Sequence, residues 1–81
     1  MQKTLTFTNA AAKSLRKMPK GDSQALIAKL RAYAAGERQN VVKLQGADGY
    51  RLRHGDWRAL LTVTKTEITV GAIAHRREVY R

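Results

Sequence analysis

The sequence has 81 residues, enough for one hydrophobic core and too few for two. It contains sixteen Lys and Arg against six Asp and Glu, a formal net charge of +10, and no cysteine. The absence of cysteine excludes a disulfide framework and a thiolate metal site. An excess of positive charge is typical of proteins that bind polyanions, above all nucleic acid. We therefore expect one domain over residues 1–81 that binds nucleic acid.

The basic residues are spread along the chain from Lys3 to Arg81, so the folded surface itself is predicted to be basic. No apolar run approaches the roughly 18 residues of a membrane span, and the first residues lack the apolar region of a signal peptide. The alanine-rich helices predicted below fit poorly with a basic helix lying on a membrane. We expect a soluble cytoplasmic protein with no membrane partner.

The N-terminal residues predict a strand followed by a helix. Residues 4–8 read TLTFT and alternate with the period of a strand. Thr8 or Asn9 can cap a helix that must end near Pro19. The apolar residues of this helix that we expect to pack in the core are Leu15 and Met18.

A second helix is predicted after a turn at residues 19–22. It begins near Asp22 or Ser23, and Gly36 is a plausible C-terminal cap. Its apolar residues recur at helical spacing and are more typical of core than of chemistry. They are Leu26, Ile27, Leu30, Tyr33 and Ala34.

The rest of the chain predicts two hairpins built from residues 50–54, 57–64 and 67–75. The predicted order is therefore β-α-α-β-β-β. We expect an α+β fold in which two N-terminal helices pack on a largely antiparallel sheet.

The register of the first hairpin determines where its arginines point. A two-residue turn at Gly55-Asp56 pairs Arg53 with Arg58, whereas a three-residue turn would mix polar and apolar residues on each face. We therefore expect the two-residue turn, with Arg51, Arg53 and Arg58 pointing together away from the helices, towards solvent or a ligand. The opposite, apolar face then holds Tyr50, Leu52, Trp57, Ala59, Leu61 and Val63. Trp57 and His54 lie on that face and are predicted to be structural.

In the second hairpin, an unbroken alternation pairs Val63 with Ile68 and keeps Val70, Ala72 and Ala74 in the core. His75 is then predicted on the arginine face. The last residues, HRREVYR, leave the sheet at the edge of this basic patch. Their imidazole, guanidinium and phenol groups would all lie within reach of one bound phosphate.

Four stretches in this order resemble the RelE toxins: KLQG at 43–46, YRLR at 50–53, GDWR at 55–58 and HRREVYR at 75–81. The resemblance covers nearly the whole chain, and the C-terminal forty residues carry most of its specificity. It implies a small sandwich of the microbial-ribonuclease type and the toxin of a type II toxin-antitoxin pair. Such toxins cleave mRNA in the ribosomal A site without a metal and are restrained by a cognate antitoxin protein.

The acidic residues agree with a metal-independent mechanism, because they are scattered and no pair shows metal-ligand spacing. They are Asp22, Glu37, Asp48, Asp56, Glu67 and Glu78. We expect no metal and no cofactor. The metal-independent mechanism that remains is attack of a ribose 2′-hydroxyl on its own phosphodiester. This reaction needs a base, an acid and cations that stabilise the charge on the phosphate.

The resemblance also implies roles for individual residues. Arg51 and Arg53 match positions that are lysines in the best-known member, Arg58 matches its strand arginine, and Arg76 and Tyr80 match C-terminal catalytic positions. Arginine is effectively never deprotonated in a protein, so Arg53 is expected to orient phosphate or stabilise charge.

The general base is left open between a C-terminal histidine and a C-terminal tyrosine. Histidine suits proton transfer at neutral pH, and a tyrosine could serve as the base or as a stacking platform for a nucleobase. The predicted catalytic residues are Arg53, Arg58, His75, Arg76 and Tyr80. The residues predicted to contact phosphates of RNA or the ribosome are Lys43, Arg51, Arg77 and Arg81.

Two other functions remain open. A ParE-like toxin would have the same fold and inhibit DNA gyrase without cleaving RNA, but that branch generally lacks the arginines and tyrosine of HRREVYR. A basic nucleic-acid-binding module without chemistry would need only the net charge of +10.

Overall fold

The structure is a computed structural model that describes residues 2–44 and 49–76. Tyr80, Arg77 and Arg81, which were predicted as site residues, lie outside the described residues. The elements in chain order are β1 (Thr4–Phe7), α1 (Asn9–Lys17), α2 (Lys20–Ala34), β2 (Val41–Lys43), β3 (Tyr50–His54), β4 (Trp57–Val63) and β5 (Glu67–His75).

The first helix begins as predicted, but the second begins earlier. The Thr8 hydroxyl caps α1 by accepting the Ala11 N–H at 3.2 Å. The turn predicted at residues 19–22 is wrong, because Pro19 itself is the N-terminal cap of α2. Proline suits a helix start, where its missing N–H would have no helical partner. Its carbonyl accepts the Ser23 N–H at 3.0 Å and so extends the helix back to Lys20.

The end of α2 confirms the predicted role of Gly36. Gly36 has a φ of 97°, in the left-handed region that favours glycine. Its N–H donates to the Tyr33 carbonyl at 3.0 Å, and the Glu37 N–H donates to the Ala32 carbonyl at 2.9 Å. This pair of bonds is a Schellman motif, which satisfies carbonyls at the end of the helix.

The five strands form one mixed sheet in the order β1-β5-β4-β3-β2. β1 lies parallel to β5, and the other neighbours are antiparallel. The predicted α+β fold, with two helices packed on a largely antiparallel sheet, is confirmed. β2 was not predicted from the sequence, since its three residues are too few to show an alternating pattern.

One face of the sheet carries the core. The predicted pairing of Arg53 with Arg58 and of Leu52 with Ala59 is confirmed. Tyr50, Trp57 and Val63 pack around the core as predicted. Its buried residues come from both helices and three strands: Ala11, Met18, Leu26, Leu30, Ala34, Leu52, Ala59, Leu61, Ile68, Val70 and Ile73.

A β-bulge in β5 overturns the predicted register of the second hairpin. Val63 does pair with Ile68, but Leu61 pairs with Val70 and Leu60 with Ala72, which leaves Gly71 as an extra residue. The bulge reverses the facing of every later residue. Ile73 is therefore the buried residue, at 5% exposed, and Ala72 and Ala74 lie on the arginine side.

His75 was predicted on the arginine face, and that prediction is wrong. Because of the bulge, His75 pairs with Trp57 and lies on the helix side of the sheet.

In the described residues, no helix has the length and apolar character needed to span a membrane.

Candidate nucleic-acid interface and catalytic site

Three arginines lie on the open face of the sheet, opposite the helices. Arg51 and Arg53 project from β3, and Arg58 projects from β4 directly across from Arg53. Arg53 is exposed and Arg51 is partly buried, but Arg58 is only 3% exposed. The prediction that Arg58 lies on the face away from the helices, towards solvent or a ligand, is confirmed for the face, but its side chain is not exposed to solvent.

The guanidinium of Arg58 is held by backbone carbonyls. Its Nη1 donates to the Gly55 carbonyl at 2.8 Å and to the Trp57 carbonyl at 3.0 Å. Its Nε is buried and has no hydrogen-bond partner, which is unusual for a buried donor. Within residues 2–44 and 49–76, no carboxylate forms an ion pair with it. Arg58 is thus a buried cation whose charge is not neutralised by the described residues.

On the helix side of the sheet, Asp22 ties the start of α2 to the tip of the β3–β4 hairpin. One oxygen of its carboxylate accepts the Trp57 indole N–H at 3.3 Å. The other lies 3.8 Å from His54 Nε2. His54 and Trp57 were both predicted to be structural, and these contacts agree with that prediction.

His75 and Arg76 meet a second carboxylate, that of Asp56 in the β3–β4 turn. His75 Nε2 lies 3.9 Å from Asp56 Oδ2, and Arg76 Nη1 lies 3.7 Å from Asp56 Oδ1. The Arg76 backbone N–H also donates to the Asp56 carbonyl at 2.6 Å. The His75 ring stands edge-on to the Trp57 indole, with centroids 5.3 Å apart and an interplanar angle of 86°.

The predicted site residues therefore form two groups at one end of the sheet. Arg53 and Arg58 lie on the open face, whereas His75 lies on the helix side, with Arg76 following it at the end of β5. Lys43 is separate from both, since it pairs with Tyr50 and shares the helix side of the sheet.

The two carboxylates at this end of the molecule, those of Asp22 and Asp56, were not predicted as site residues. Asp56 was assigned only to the turn, and Asp22 only to the start of a helix. The one signal for Asp56 is its position as the acidic residue within the basic stretch 50–58. In the part of the chain that the structure describes, no three His, Asp or Glu side chains are close enough together to hold a metal ion.

Comparison with known proteins gives no match to a family model and no significant match to a curated protein sequence. Solved structures do match. The RelBE2 toxin-antitoxin complex of Mycobacterium tuberculosis contains a chain with a TM-score of 0.82 and 22% identity, covering 94% of this chain and 93% of that chain. The chain has a RelE-like fold.

Two further structures share the RelE-like fold. A mutant of the toxin RelE of E. coli, in the free state, has a TM-score of 0.74 and 27% identity, covering 99% of this chain and 92% of that chain. The RelE-RelB complex of Pyrococcus horikoshii has a TM-score of 0.72 and 24% identity, covering 94% of this chain and 97% of that chain. The likeness to RelE toxins predicted from four sequence stretches is confirmed at the level of the fold.

Proposed function

We propose that this chain, residues 1–81 as one domain, is the toxin of a type II toxin-antitoxin pair and cleaves mRNA in the ribosomal A site. The observation that carries the proposal is the pairing of an exposed Arg53 with a buried Arg58, which has no carboxylate partner among residues 2–44 and 49–76, on the open face of a RelE-like fold. A cation held in place by backbone carbonyls is preorganised for an anion, and a phosphodiester is the anion that such toxins cut. The ribosome places the reaction in the cytoplasm.

The chemistry needs only groups of the protein and the RNA. The ribose 2′-oxygen attacks the adjacent phosphorus and loses its proton to a general base. The bond from phosphorus to the 5′-oxygen breaks, and a general acid protonates that oxygen. Arg53 and Arg58 stabilise the charge that develops on the phosphate oxygens: the exposed Arg53 offers its planar fork to phosphate, and the buried Arg58 adds a fixed positive charge beside it. The products are a 2′,3′-cyclic phosphate and a 5′-hydroxyl.

Two residues are candidates for the general base. His75 lies at the end of β5 on the helix side, so an RNA bound to Arg58 would have to pass around the end of the sheet to reach it. Tyr80 follows five residues later and lies outside the described residues. Of the two variants His75→Gln and Tyr80→Phe, the one with the larger fall in kcat at unchanged KM identifies the base.

The remaining basic residues are proposed to contact phosphates without taking part in the chemistry. They are Lys43, Arg51, Arg77 and Arg81. A cognate antitoxin is proposed to cover the open face and offer carboxylates to its arginines. Two of the matched structures are complexes of a toxin with its antitoxin, which supports a partner of this kind.

The test is to map mRNA ends on translating ribosomes after adding the purified chain. We expect new cuts within codons in the A site, with 5′-hydroxyl ends, and we expect them to persist with a chelator at concentrations that keep the ribosome intact. A 5′-phosphate product would contradict the mechanism. Intact mRNA together with inhibited gyrase would instead identify the ParE-like activity.

A further inference from the structure

We propose that Asp56 is a positioning residue of this site. Its carboxylate holds the His75 imidazole and the Arg76 guanidinium beside the β3–β4 turn, and so sets the point at which the chain leaves β5. The catalytic consequence rests on the proposed function, but the positioning itself does not.

The geometry assigns three contacts to this one residue. Oδ2 faces His75 Nε2 at 3.9 Å, Oδ1 faces Arg76 Nη1 at 3.7 Å, and the carbonyl accepts the Arg76 N–H at 2.6 Å. The two carboxylate oxygens thus serve two consecutive residues. Together with the backbone bond, these contacts place both side chains beside the hairpin tip.

The other side of the His75 ring is also supported. It meets the Trp57 indole edge-on, and the indole N–H is in turn held by Asp22 from α2. Asp56 and Trp57 therefore bracket the imidazole. Losing the Asp56 carboxylate would remove one of these contacts of the imidazole.

Exposure and charge both argue that Asp56 does not serve stability or binding. Its side chain is 61% exposed, and exposed ion pairs contribute little to stability. A carboxylate at this position also lowers the positive potential that attracts RNA to a protein of net charge +10. We therefore assign to Asp56 the orientation of His75 and Arg76.

The positioning can be measured without RNA. An 81-residue chain is short enough for chemical synthesis, so ¹⁵N can be placed in the His75 imidazole alone. We expect Asp56→Asn to shift the ring nitrogen resonances of His75 and to weaken its nuclear Overhauser contacts with Trp57. Asp56→Glu should restore them in part. Glu37→Gln, which removes the same charge from an exposed residue after α2, should leave them unchanged.

Cleavage gives the second readout. In Asp56→Asn we expect kcat to fall by about tenfold to a hundredfold, the scale of a misplaced catalytic group. KM should stay constant or fall, because the potential at the site becomes more positive. Asp56→Glu should recover part of kcat, and Glu37→Gln should leave both constants unchanged. A rise in KM at constant kcat would overturn the proposal.

The outcomes separate this inference from the proposed function. Unchanged His75 resonances in Asp56→Asn would overturn the positioning role whatever the enzyme does. A wild-type chain that does not cut mRNA, with the resonance shifts as expected, would overturn the proposed function and leave the positioning intact. A melting temperature lowered by more than about 4 °C in Asp56→Asn would show a structural role and overturn the proposal.

Discussion

At the scale of single residues, Arg58 shows how a cation can lie on an open sheet face and still be buried. Its guanidinium turns back onto the carbonyls of Gly55 and Trp57. Its neighbour on β5 is Ala74, whose small side chain leaves room above the strand. The alternation of a strand predicts the face of a residue, but these contacts determine its exposure.

The charge and the volume of Arg58 can be separated by substitution. We expect Arg58→Met to leave the melting temperature unchanged or raised, because a buried charge that has no carboxylate partner among the described residues is replaced by an apolar chain of similar length. Cleavage should fall by about a hundredfold to a thousandfold, as when one donor to a transition state is removed. Arg58→Met and Arg58→Ala both remove the bonds to the Gly55 and Trp57 carbonyls. Arg58→Ala should be less stable than Arg58→Met by about 1–3 kcal/mol, because it also leaves a cavity.

The matched control for Arg58 is Arg53→Met, which changes an exposed arginine on the same face. Its stability should change by less than about 0.5 kcal/mol. Thermal unfolding and single-turnover cleavage, measured on all three variants, test the assignment. Full cleavage by Arg58→Met would show that the buried cation serves only the fold.

The ionisation of Tyr33 is expected to make the stability of the fold depend on pH in the alkaline range. Burial raises the pKa of the Tyr33 phenol above its ordinary value near 10, and the neighbouring Tyr50 raises it further. The folded state therefore favours the protonated phenol. Its contribution to stability is complete below about pH 10 and is lost as the pH rises towards the folded pKa.

We expect Tyr33→Phe to lose less stability than the wild type between about pH 9 and pH 11. The lysines titrate in both proteins, so the difference between the two curves reports Tyr33 together with its interaction with Tyr50. Chemical denaturation at each pH measures it. Parallel curves would show that the phenol ionises equally easily in the folded and unfolded chains.

At the scale of elements, the bulge at Gly71 determines which face the end of β5 presents. It lets Ile73 enter the core beside Ala59 and brings His75 against Trp57. Unbroken alternation would bury Ala72 and Ala74 instead, two small side chains in place of one large one. The core therefore gains apolar volume from the irregularity.

Two glycines of the sheet region make a matched pair. A Cβ added to Gly49 would lie 2.9 Å from the Leu61 carbonyl oxygen, and Gly49 has a φ of 134°. A Cβ added to Gly71 would lie 3.9 Å from the Leu60 carbonyl oxygen, an ordinary contact. We expect Gly49→Ala to destabilise the protein by about 1–3 kcal/mol.

Gly71→Ala should be neutral or stabilise the protein by up to about 1 kcal/mol, because alanine restricts the unfolded chain. Denaturant unfolding of both variants measures the difference. Equal effects at the two positions would contradict the backbone geometry described for Gly49.

At the scale of the whole molecule, the net charge of +10 is larger than the fold needs. Like charges destabilise a compact chain and attract polyanions. The described residues include few acids to balance them: Asp22 lies near His54, and Asp56 lies near His75 and pairs with Arg76. We expect binding to ribosomes or RNA to depend mainly on phosphate contacts.

Salt should therefore weaken binding steeply. With about six phosphate contacts, raising the salt concentration from 50 to 200 mM should lower the affinity on the order of a thousandfold. Arg53→Met should reduce the slope of log affinity against log salt by about one. Equilibrium binding over a salt series measures both, and an affinity independent of salt would show that the charge serves another purpose.

The sequence by itself determined the elements and the faces that depend on local pattern. Thr8 caps the start of α1 and Gly36 caps the end of α2, each through hydrogen bonds with nearby backbone. The turn at Gly55-Asp56 sets the pairing of Arg53 with Arg58. Such features depend on residues close in the chain, so they are visible in the sequence. The four stretches that resemble RelE toxins predicted the fold for the same reason, since each is a local pattern.

Only the tertiary structure decided how the site is assembled. The contact of Asp22 with Trp57 and the contacts of Asp56 with His75 and Arg76 join elements that are distant in sequence. His75 lies on the helix side of the sheet because of a β-bulge that core packing favours. The alternating pattern of β5 does not show this bulge. These features arise because side chains fill three-dimensional space, whereas the sequence pattern records only their order.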